Sequence, residues 1–171
     1  SLYSNFLSTS NPRLIESDVI QVQPITYKDK NLFSDFEEVH KTSALRDCMS
    51  FLGHDLKKEF LHHMNGRLLF PHNMFITKVK NFEEYCEVIF PWLEKCMNYC
   101  HEKKICNGYN IRMPAFLAER FTSFWFSRFE KKSLLSYARL GKLHLSNNLN
   151  NFINTTKLPF TFSQYPSIHN F

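Results

Sequence analysis

The chain has 171 residues, which is the size of one ordinary domain and long enough to bury a hydrophobic core. Its hydrophobic share of 43% argues against intrinsic disorder, and its four glycines exclude a collagen-like or glycine-linker chain. The charge is uneven, because residues 1–100 carry 11 basic and 13 acidic side chains whereas residues 101–171 carry 10 basic and three acidic ones. This basic second part favours an anionic partner such as a phosphate, a nucleic acid or a membrane surface.

The sequence contains no pattern typical of membrane insertion or secretion. No apolar run approaches the ~18–20 residues that a membrane-spanning helix requires. The segment Ser1–Leu7 lacks the basic region of a secretory signal, and it begins without methionine, as a cut or processed end would. The five cysteines are an odd number in a chain without a signal, which favours free thiols. We therefore expect a cytoplasmic protein.

The first part of the chain predicts one strand followed by helices. Residues 1–17 are expected to form an irregular or helical lead-in. Apolar and polar side chains alternate over residues 18–24, which predicts a short strand, and Pro24 favours its end or an edge of the sheet. The helical segments expected next are residues 32–40, a segment capped by Thr42 or Ser43, and its continuation from Gly53 to the Asn65-Gly66 stop signal.

The middle of the chain predicts a second strand and the best-defined helix. Residues 73–79 are predicted to form a strand. Apolar side chains then recur at helical spacing from Phe82 to Cys100, with charged side chains on the other face. Pro91 is expected to kink this helix because it removes a backbone donor. Residues 103–110 are expected to form a loop.

The last part predicts one more strong helix and a polar end. Pro114 suits the first turn of a helix that carries large aromatic residues up to Trp125. Residues 133–145 are weakly helical and basic, and residues 146–171 are expected to form an extended tail that packs on a domain comprising residues 1–145. The fold class predicted is α/β, a small mixed sheet packed by several amphipathic helices.

The cysteines raise the question of a zinc site or a catalytic thiol. Cys96, Cys100, His101 and Cys106 carry the ligand types that zinc prefers, but their spacing is poor. Cys96 and Cys100 share the apolar face of their helix with Met97, which favours buried thiols acting as small hydrophobes. No electropositive setting that would activate a thiol is visible in the sequence.

The histidines around Asn65-Gly66 allow a similar pair of interpretations. His62, His63 and His72 flank this turn and could bind a metal or a phosphate. No carboxylate stands at a diagnostic spacing, so surface or hydrogen-bonded histidines are favoured.

A basic, amphipathic stretch follows the last strong helix. It covers residues 128–144 and includes Arg128, Lys131 and Lys132. It is expected to be either a solvated face or a docking surface for membrane lipid, a lipid-linked substrate or a diphosphate. Nucleic acid is not expected as a partner, because the aromatic residues sit at helical core spacing rather than on an exposed strand surface.

The segment Arg112–Arg120 combines charged groups with core residues. Its apolar residues anchor a helix, so Glu119 and Arg120 belong to an element that is largely packed. Arg112 would lie about two turns before Arg120 if the first turn were helical. One interpretation is a structural ion pair. The other is a rigid sugar or phosphate site, in which the carboxylate orients a hydroxyl or acts as a base and arginine binds phosphate.

The order of three segments resembles a known family. They are Leu14–Pro24 followed by Tyr27 and His40, then His72–Ile76 running into Phe82–Phe90, and last Arg112–Arg120. Together they resemble the bacterial capsule and lipopolysaccharide glycosyltransferases long labelled only as a domain of unknown function. The resemblance spans roughly residues 14 to 126.

The resemblance implies a nucleotide-sugar-dependent transferase with a GT-A-like fold, which adds sugar to bacterial surface polysaccharide in the cytoplasm or at the inner face of the membrane. It implies Glu119 as the catalytic residue. The resemblance, together with the charge pattern described above, predicts five substrate-binding residues: Asn73, Arg112, Arg120, His72 and His40. A nucleotide-sugar donor and a glycan or lipid-linked acceptor would be the partners. A divalent metal, manganese or magnesium, would belong to the full-length enzyme.

The chain departs from that family in two respects. The family's histidine-tyrosine-arginine-arginine stretch would precede this chain, and no Asp-x-Asp metal motif occurs in the 171 residues. The chain is therefore expected to be the C-terminal, sugar- and acceptor-facing part of a larger enzyme. The alternatives are a non-catalytic helical interaction module and a basic peripheral-membrane adaptor.

Overall fold

A computed structural model describes residues 16–135, all of which fall within one compact unit. The predicted tail, the boundary after residue 145 and most of the lead-in lie outside the described residues. The elements in chain order are β1 (Val19–Val22), β2 (Ile25–Thr26), α1 (Leu32–His40), α2 (Ala44–Cys48), a 3-10 turn (Met49–Phe51), α3 (His54–Met64), β3 (Leu68–Leu69), β4 (Phe75–Thr77), α4 (Val79–Glu102), a second 3-10 turn (Gly108–Arg112), α5 (Met113–Ser127) and β5 (Lys132–Leu135). The prediction of a mixed α/β unit is confirmed.

The main sheet has three strands in the order β4-β1-β5. β1 runs antiparallel to β4, with Ile20 opposite Ile76, and parallel to β5, with Gln21 opposite Leu134. All four residues of β1 are buried, including Gln21. A central strand is covered on both faces, so the polar position in the alternating sequence faces the interior as well. Pro24 follows the end of the strand, one of the two positions predicted for it.

β5 corrects a prediction. Residues 133–145 were expected to be weakly helical, but Ser133–Leu135 belong to a strand. Its pairing partner is β1, more than a hundred residues earlier in the chain. Local sequence periodicity carries no information about such a distant partner. The remainder of that predicted helix lies outside the described residues.

α1 has the bounds that the sequence predicts. Asn31 caps its first turn, because the side-chain Oδ1 accepts a hydrogen bond from the backbone N–H of Ser34 at 2.8 Å. At the other end Lys41 adopts the left-handed conformation, and its N–H bonds to the carbonyl of Glu37. Leu32, Phe33 and Phe36 are fully buried.

The predicted interruption at Gly53 and the stop at Asn65-Gly66 are both confirmed. α2 and a 3-10 turn precede Gly53, and α3 runs from His54 to Met64. Gly66 is required at the end of α3, because a Cβ atom there would lie 2.9 Å from the carbonyl oxygen of His63. The chain can therefore turn tightly into β3.

The strand predicted over residues 73–79 is shorter than expected. Only Phe75–Thr77 pair with β1, because Asn73 is in the left-handed region and Val79 already begins α4. An L-residue with positive φ cannot continue a strand. The alternating strand pattern of the sequence did not indicate the left-handed turn at His72 and Asn73.

α4 contains the predicted helix and extends it at both ends, with Pro91 inside. The buried residues of α4 are Tyr85, Ile89, Trp92, Cys96 and Cys100. Met97 was predicted on the apolar face, but it is 42% exposed. It stands one residue beyond Cys96, which rotates it about 100° around the helix axis.

α5 is the central helix of the core. Six consecutive residues from Phe121 to Phe126 are buried, so the helix is covered on every side over this stretch. Phe121 stacks on Trp92 of α4 with ring centroids 4.9 Å apart and meets Phe60 of α3 edge-on. The packing of α5 between these helices fixes the direction of every polar side chain that it carries. None of the helices within residues 16–135 is long and apolar enough to cross a membrane.

Candidate functional site

α5 holds the segment before β4 through residues spaced four apart. The carbonyl of Ala115 accepts from Nδ2 of Asn73 at 3.5 Å. Oε1 of Glu119 accepts from the backbone N–H of His72 at 2.6 Å, and Oγ of Ser123 accepts from the backbone N–H of Phe70 at 2.9 Å. Residues at i, i+4 and i+8 lie along one helix face. One stripe of α5 therefore holds the backbone of Phe70 and His72 and the side chain of Asn73.

The Ser123 bond gives a stability prediction. Ser123 is completely buried, so Ser123→Ala leaves the buried N–H of Phe70 without an acceptor. We expect the free energy of unfolding, measured by urea denaturation, to fall by about 1–3 kcal/mol. Ser50 is an exposed serine bonded to a backbone carbonyl. Ser50→Ala should stay within about 0.5 kcal/mol of the wild type; equal losses in the two variants would contradict the role given to Ser123.

The segment that α5 holds contains a left-handed turn. His72 has φ 75° and Asn73 has φ 50°. Each such residue costs on the order of 1 kcal/mol and persists because the surroundings impose it. Both side chains are exposed. The turn thus presents His72 and Asn73 to solvent beside the N-terminal half of α5.

Glu119 is half-buried and uses one oxygen to hold this turn. Within residues 16–135, its hydrogen bonds involve Oε1 only. A carboxylate has room for about four hydrogen bonds, so Oε2 keeps the capacity to accept from a hydroxyl. Glu119 is therefore a carboxylate of fixed orientation with one oxygen left for a ligand.

Arg120 is rotated about 100° around the helix axis from Glu119 and pairs with Asp35 of α1. Its Nη2 donates to Oδ2 of Asp35 at 2.7 Å, and Lys30 lies 3.1 Å from Oδ1 of the same carboxylate. Arg120 is 6% exposed and Asp35 5%. The structural alternative for Arg120 thus holds with Asp35 as the partner, and not with its neighbour Glu119.

The guanidinium of Arg120 is only partly satisfied. Nε and Nη1 are buried, and no acceptor within the described residues bonds to either of them. Buried donors of this kind ordinarily have a partner, which can be water or a ligand. Tyr27 interacts with both members of the pair: burial and the charge of Asp35 raise its pKa, and the charge of Arg120 lowers it. Two buried nitrogens of Arg120 therefore keep unused hydrogen-bonding capacity in the described part of the chain.

His40 is tied to the second 3-10 turn by two reciprocal hydrogen bonds. Nδ2 of Asn110 donates to the carbonyl of His40 at 2.8 Å, so Oδ1 of Asn110 is the atom that accepts from Nδ1 of His40 at 2.9 Å. This network places the ring proton on Nδ1. Burial lowers the pKa of His40, so the ring is neutral at pH 7. His40 is buried, which gives it a positioning role in the fold; its predicted contact with substrate stays a prediction.

Arg112 stands directly before α5, as the last residue of a 3-10 turn. The α-helical residues 113–119, about two turns, separate it from Arg120, which agrees with the expected spacing. Arg112 is exposed, and its guanidinium lies 5.8 Å from the ring centroid of Phe116. Tyr109 stacks on the same ring and is 67% exposed. Tyr109 and Phe116 thus form a stacked aromatic pair, which we call the aromatic shelf, and the guanidinium of Arg112 lies beside it.

The structure thus gathers some of the predicted site residues and separates others. Glu119, His72 and Asn73 meet at the left-handed turn. Arg120 belongs to the buried pair with Asp35, and Arg112 lies at the shelf.

Sequence reasoning missed Asp35, Asn110 and Ser123. Only Asp35 carried a signal, because it is an acidic residue between the apolar Phe33 and Phe36 of a short helix, and such an acid needs a partner. Asn110 and Ser123 are ordinary polar residues whose partners are distant in sequence.

Comparison with known families gives one result. Residues 6–132 match the model of a family described as Domain of unknown function (DUF4422). The chain belongs to this family. No curated protein and no solved structure matches the chain.

The thiols of this DUF4422 chain behave as the structural interpretation predicts. Cys48, Cys96 and Cys100 are buried. A hydrogen bond with Cys48 and burial raise the pKa of Cys100, so its thiol stays protonated at neutral pH. A protonated, buried thiol is inert as a nucleophile.

The described residues offer few ligands for a metal ion. Within residues 16–135, no group of three or more His, Cys, Asp or Glu side chains is arranged to hold a metal ion. Asp35 is committed to Arg120 and Lys30, and the free oxygen of Glu119 belongs to no such group in the described part of the chain. The residues described in the DUF4422 chain therefore do not fit a manganese or magnesium site.

A separate groove runs between α3 and α5, which we call the α3–α5 groove. It has a larger compartment of about 610 Å³ and a smaller one of about 330 Å³, which share His62, His63 and Ser127. None of the predicted residues Glu119, Arg120, Arg112, His40, His72 and Asn73 lines either compartment. In the DUF4422 chain this groove and the turn held by Glu119 are thus different places on α5.

Proposed function

We propose that this chain is part of a nucleotide-sugar-dependent glycosyltransferase with a GT-A-like fold, which builds bacterial capsule or lipopolysaccharide. The first support is the order of the three segments that resemble such enzymes, ending in Arg112–Arg120. The second support is the environment of Glu119. The activity, the substrates and the partners of the protein are proposals that rest on these two supports.

One observation carries the proposal: Glu119 and Arg120, adjacent on a rigid core helix, both keep unused polar atoms. The carboxylate has one oxygen without a partner in the described part of the chain, and the guanidinium has two buried N–H groups in the same condition. A purely structural ion pair would use these atoms. A sugar supplies hydroxyls that donate to a carboxylate and accept from a guanidinium.

The chemistry that Glu119 can perform follows from its fixed orientation. The bond from His72 N–H holds Oε1, so the free oxygen can accept the proton of an acceptor hydroxyl as it attacks the anomeric carbon. A carboxylate near that carbon also stabilises the oxocarbenium-like transition state. Arg112, which is exposed, is proposed to neutralise charge on the leaving diphosphate.

The remaining predicted residues have supporting roles in this proposal. His72 and Asn73, on the left-handed turn, contact the donor sugar. Arg120 donates from Nε or Nη1 to a sugar hydroxyl or a phosphoryl oxygen. His40 acts as a positioning residue, because it fixes the 3-10 turn that carries Tyr109 and leads to Arg112.

Glu119→Gln tests the catalytic assignment. Glutamine keeps an acceptor oxygen for the N–H of His72, so the turn is held, but it removes the charge and the basicity. We expect sugar transfer by the full-length protein to fall by about 10²–10⁴-fold, with an unchanged melting temperature.

Glu94→Gln is the matched control. Glu94 is an exposed acid on α4, and its replacement removes the same charge without touching the site. Transfer by this variant should equal that of the wild type. Wild-type activity in Glu119→Gln would remove the catalytic role and leave Glu119 as a residue that holds the turn.

A second candidate is a protein-interaction module, which one observation favours. α4 exposes a stripe of large apolar residues, with Phe82 46%, Phe90 63% and Met97 42% exposed. Such stripes often mark contact surfaces. The two functions differ in ligand response, because a transferase is stabilised by its nucleotide-sugar. Thermal shift of the full-length protein with UDP-, GDP- and CMP-sugars distinguishes them, and no stabilisation by any of the three would favour the interaction module.

A further inference from the structure

The smaller compartment of the α3–α5 groove is basic. Arg67 and Lys132 line it, and none of its lining residues is acidic. Within residues 16–135, neither cation forms an ion pair with a carboxylate. Their positive charge is therefore not neutralised by the described part of the protein.

Both cations are nevertheless held in place. Nη1 of Arg67 donates to the carbonyl of Lys28 at 2.7 Å, and Nζ of Lys132 donates to the carbonyl of Ser127 at 2.8 Å. Backbone carbonyls restrict these long side chains without cancelling their charge. A cation that is already restricted loses less conformational entropy when it binds an anion.

The histidines add hydrogen-bonding groups but little charge. Burial lowers the pKa of His63 to about 4, so this ring is neutral at pH 7. It lies 3.3 Å from the hydroxyls of both Ser123 and Ser127. The positive potential of the smaller compartment therefore comes from Arg67 and Lys132.

The larger compartment has a different character. It is lined by both signs of charge, and Arg128 is paired with Glu59 at 3.2 Å. Phe124, which is 2% exposed, forms part of its wall, and the guanidinium of Arg128 lies 5.6 Å from the centroid of its ring. A nearly balanced, partly aromatic compartment suits the uncharged organic part of a ligand.

We propose that the α3–α5 groove binds a phosphorylated small molecule, with its phosphoryl group at Arg67 and Lys132 and its organic part in the compartment beside Phe124. Arginine and lysine bind phosphoryl oxygens through charge-assisted hydrogen bonds. The site contains none of the residues assigned to sugar transfer, so this proposal does not depend on the glycosyltransferase function.

The test is an NMR titration that follows the imidazole signals of His62 and His63, which line both compartments. The full-length protein is titrated with ribose 5-phosphate, inorganic phosphate and ribose. Ribose 5-phosphate should shift both signals and bind more tightly than inorganic phosphate, and ribose should shift neither. No shift with ribose 5-phosphate at ~50 mM would overturn the proposal, since even weak specific sites bind in the millimolar range. Shifts with ribose alone would overturn the assignment of the phosphoryl group.

Charge variants test the assignment of the two cations. Arg67→Gln and Lys132→Gln should each weaken the binding of ribose 5-phosphate by about tenfold. Lys57→Gln is the matched control, because Lys57 is an exposed lysine of α3 that does not line the groove. An equal loss in all three variants would show that only net charge matters and would overturn the site. A loss confined to the two groove variants supports it.

Discussion

Asp35→Ala should lower the free energy of unfolding by about 3–5 kcal/mol, because it leaves the guanidinium of Arg120 buried without its counter-charge. Two nitrogens of Arg120 already lack a partner in the described residues. The variant removes the carboxylate that compensates the buried charge of the guanidinium. Urea denaturation monitored by tryptophan fluorescence measures the loss, since Trp92 and Trp125 both lie in the core.

Two comparisons separate the buried pair from a surface effect. Lys30→Ala removes the partly exposed cation that also contacts Asp35, and it should cost no more than about 1 kcal/mol. The double variant Asp35→Leu with Arg120→Met replaces the buried pair by apolar groups and should recover much of the loss. An Asp35→Ala variant as stable as the wild type would show that Arg120 gains little from this pair, which would strengthen its case as a ligand-binding group.

The helices could be predicted from sequence because their signals are local. α1 has a capping asparagine, an apolar face and a left-handed end within eleven consecutive residues, and its predicted bounds are confirmed. α3 and α5 likewise have their boundary residues, Gly53 and Pro114, at their first turn. Periodicity and caps specify where such elements begin and end without reference to the rest of the chain.

The candidate site could be predicted only in part, because its decisive contacts are not local. Arg120 and Asp35 are 85 residues apart, and His40 and Asn110 are 70 apart. The sequence indicates that Glu119 and Arg120 need partners. It does not show whether they pair with each other or with residues far away in the chain. The choice depends on which elements α5 touches, and this is a property of the packed core. β5 was mispredicted for the same reason, since a parallel strand is stabilised by a partner that the local sequence does not contain.

His63 should make the stability of the protein depend on pH between about 6.5 and 4. Burial lowers the pKa of this residue from the ordinary 6.5 to about 4. In that window the unfolded chain binds a proton that the folded protein does not accept, so the free energy of unfolding falls as the pH is lowered. Complete loss amounts to about 3 kcal/mol below pH 4, since each pKa unit corresponds to about 1.4 kcal/mol.

The groups around His63 agree in sign with this expectation. The charges of His62, Lys132 and Arg120 all oppose a proton on its ring. The other charged residues that line the same groove are Asp55, Lys58, Glu59, Arg67 and Arg128. Glu59 is paired with Arg128, so it does not provide an unshared counter-charge for an imidazolium.

His63→Gln isolates this contribution, because glutamine can still donate and accept hydrogen bonds toward Ser123 and Ser127. Urea denaturation at a series of pH values should show a flatter profile for this variant than for the wild type between pH 6.5 and 4. His101→Gln, which changes an exposed histidine at the end of α4, should retain the wild-type slope. If His63→Gln also retains that slope, then the imidazole of His63 takes up its proton in the folded protein as readily as in the unfolded chain. Its position between the two serines would then not exclude a charged ring, and the groove would offer a third cation to an anionic ligand below pH 6.5.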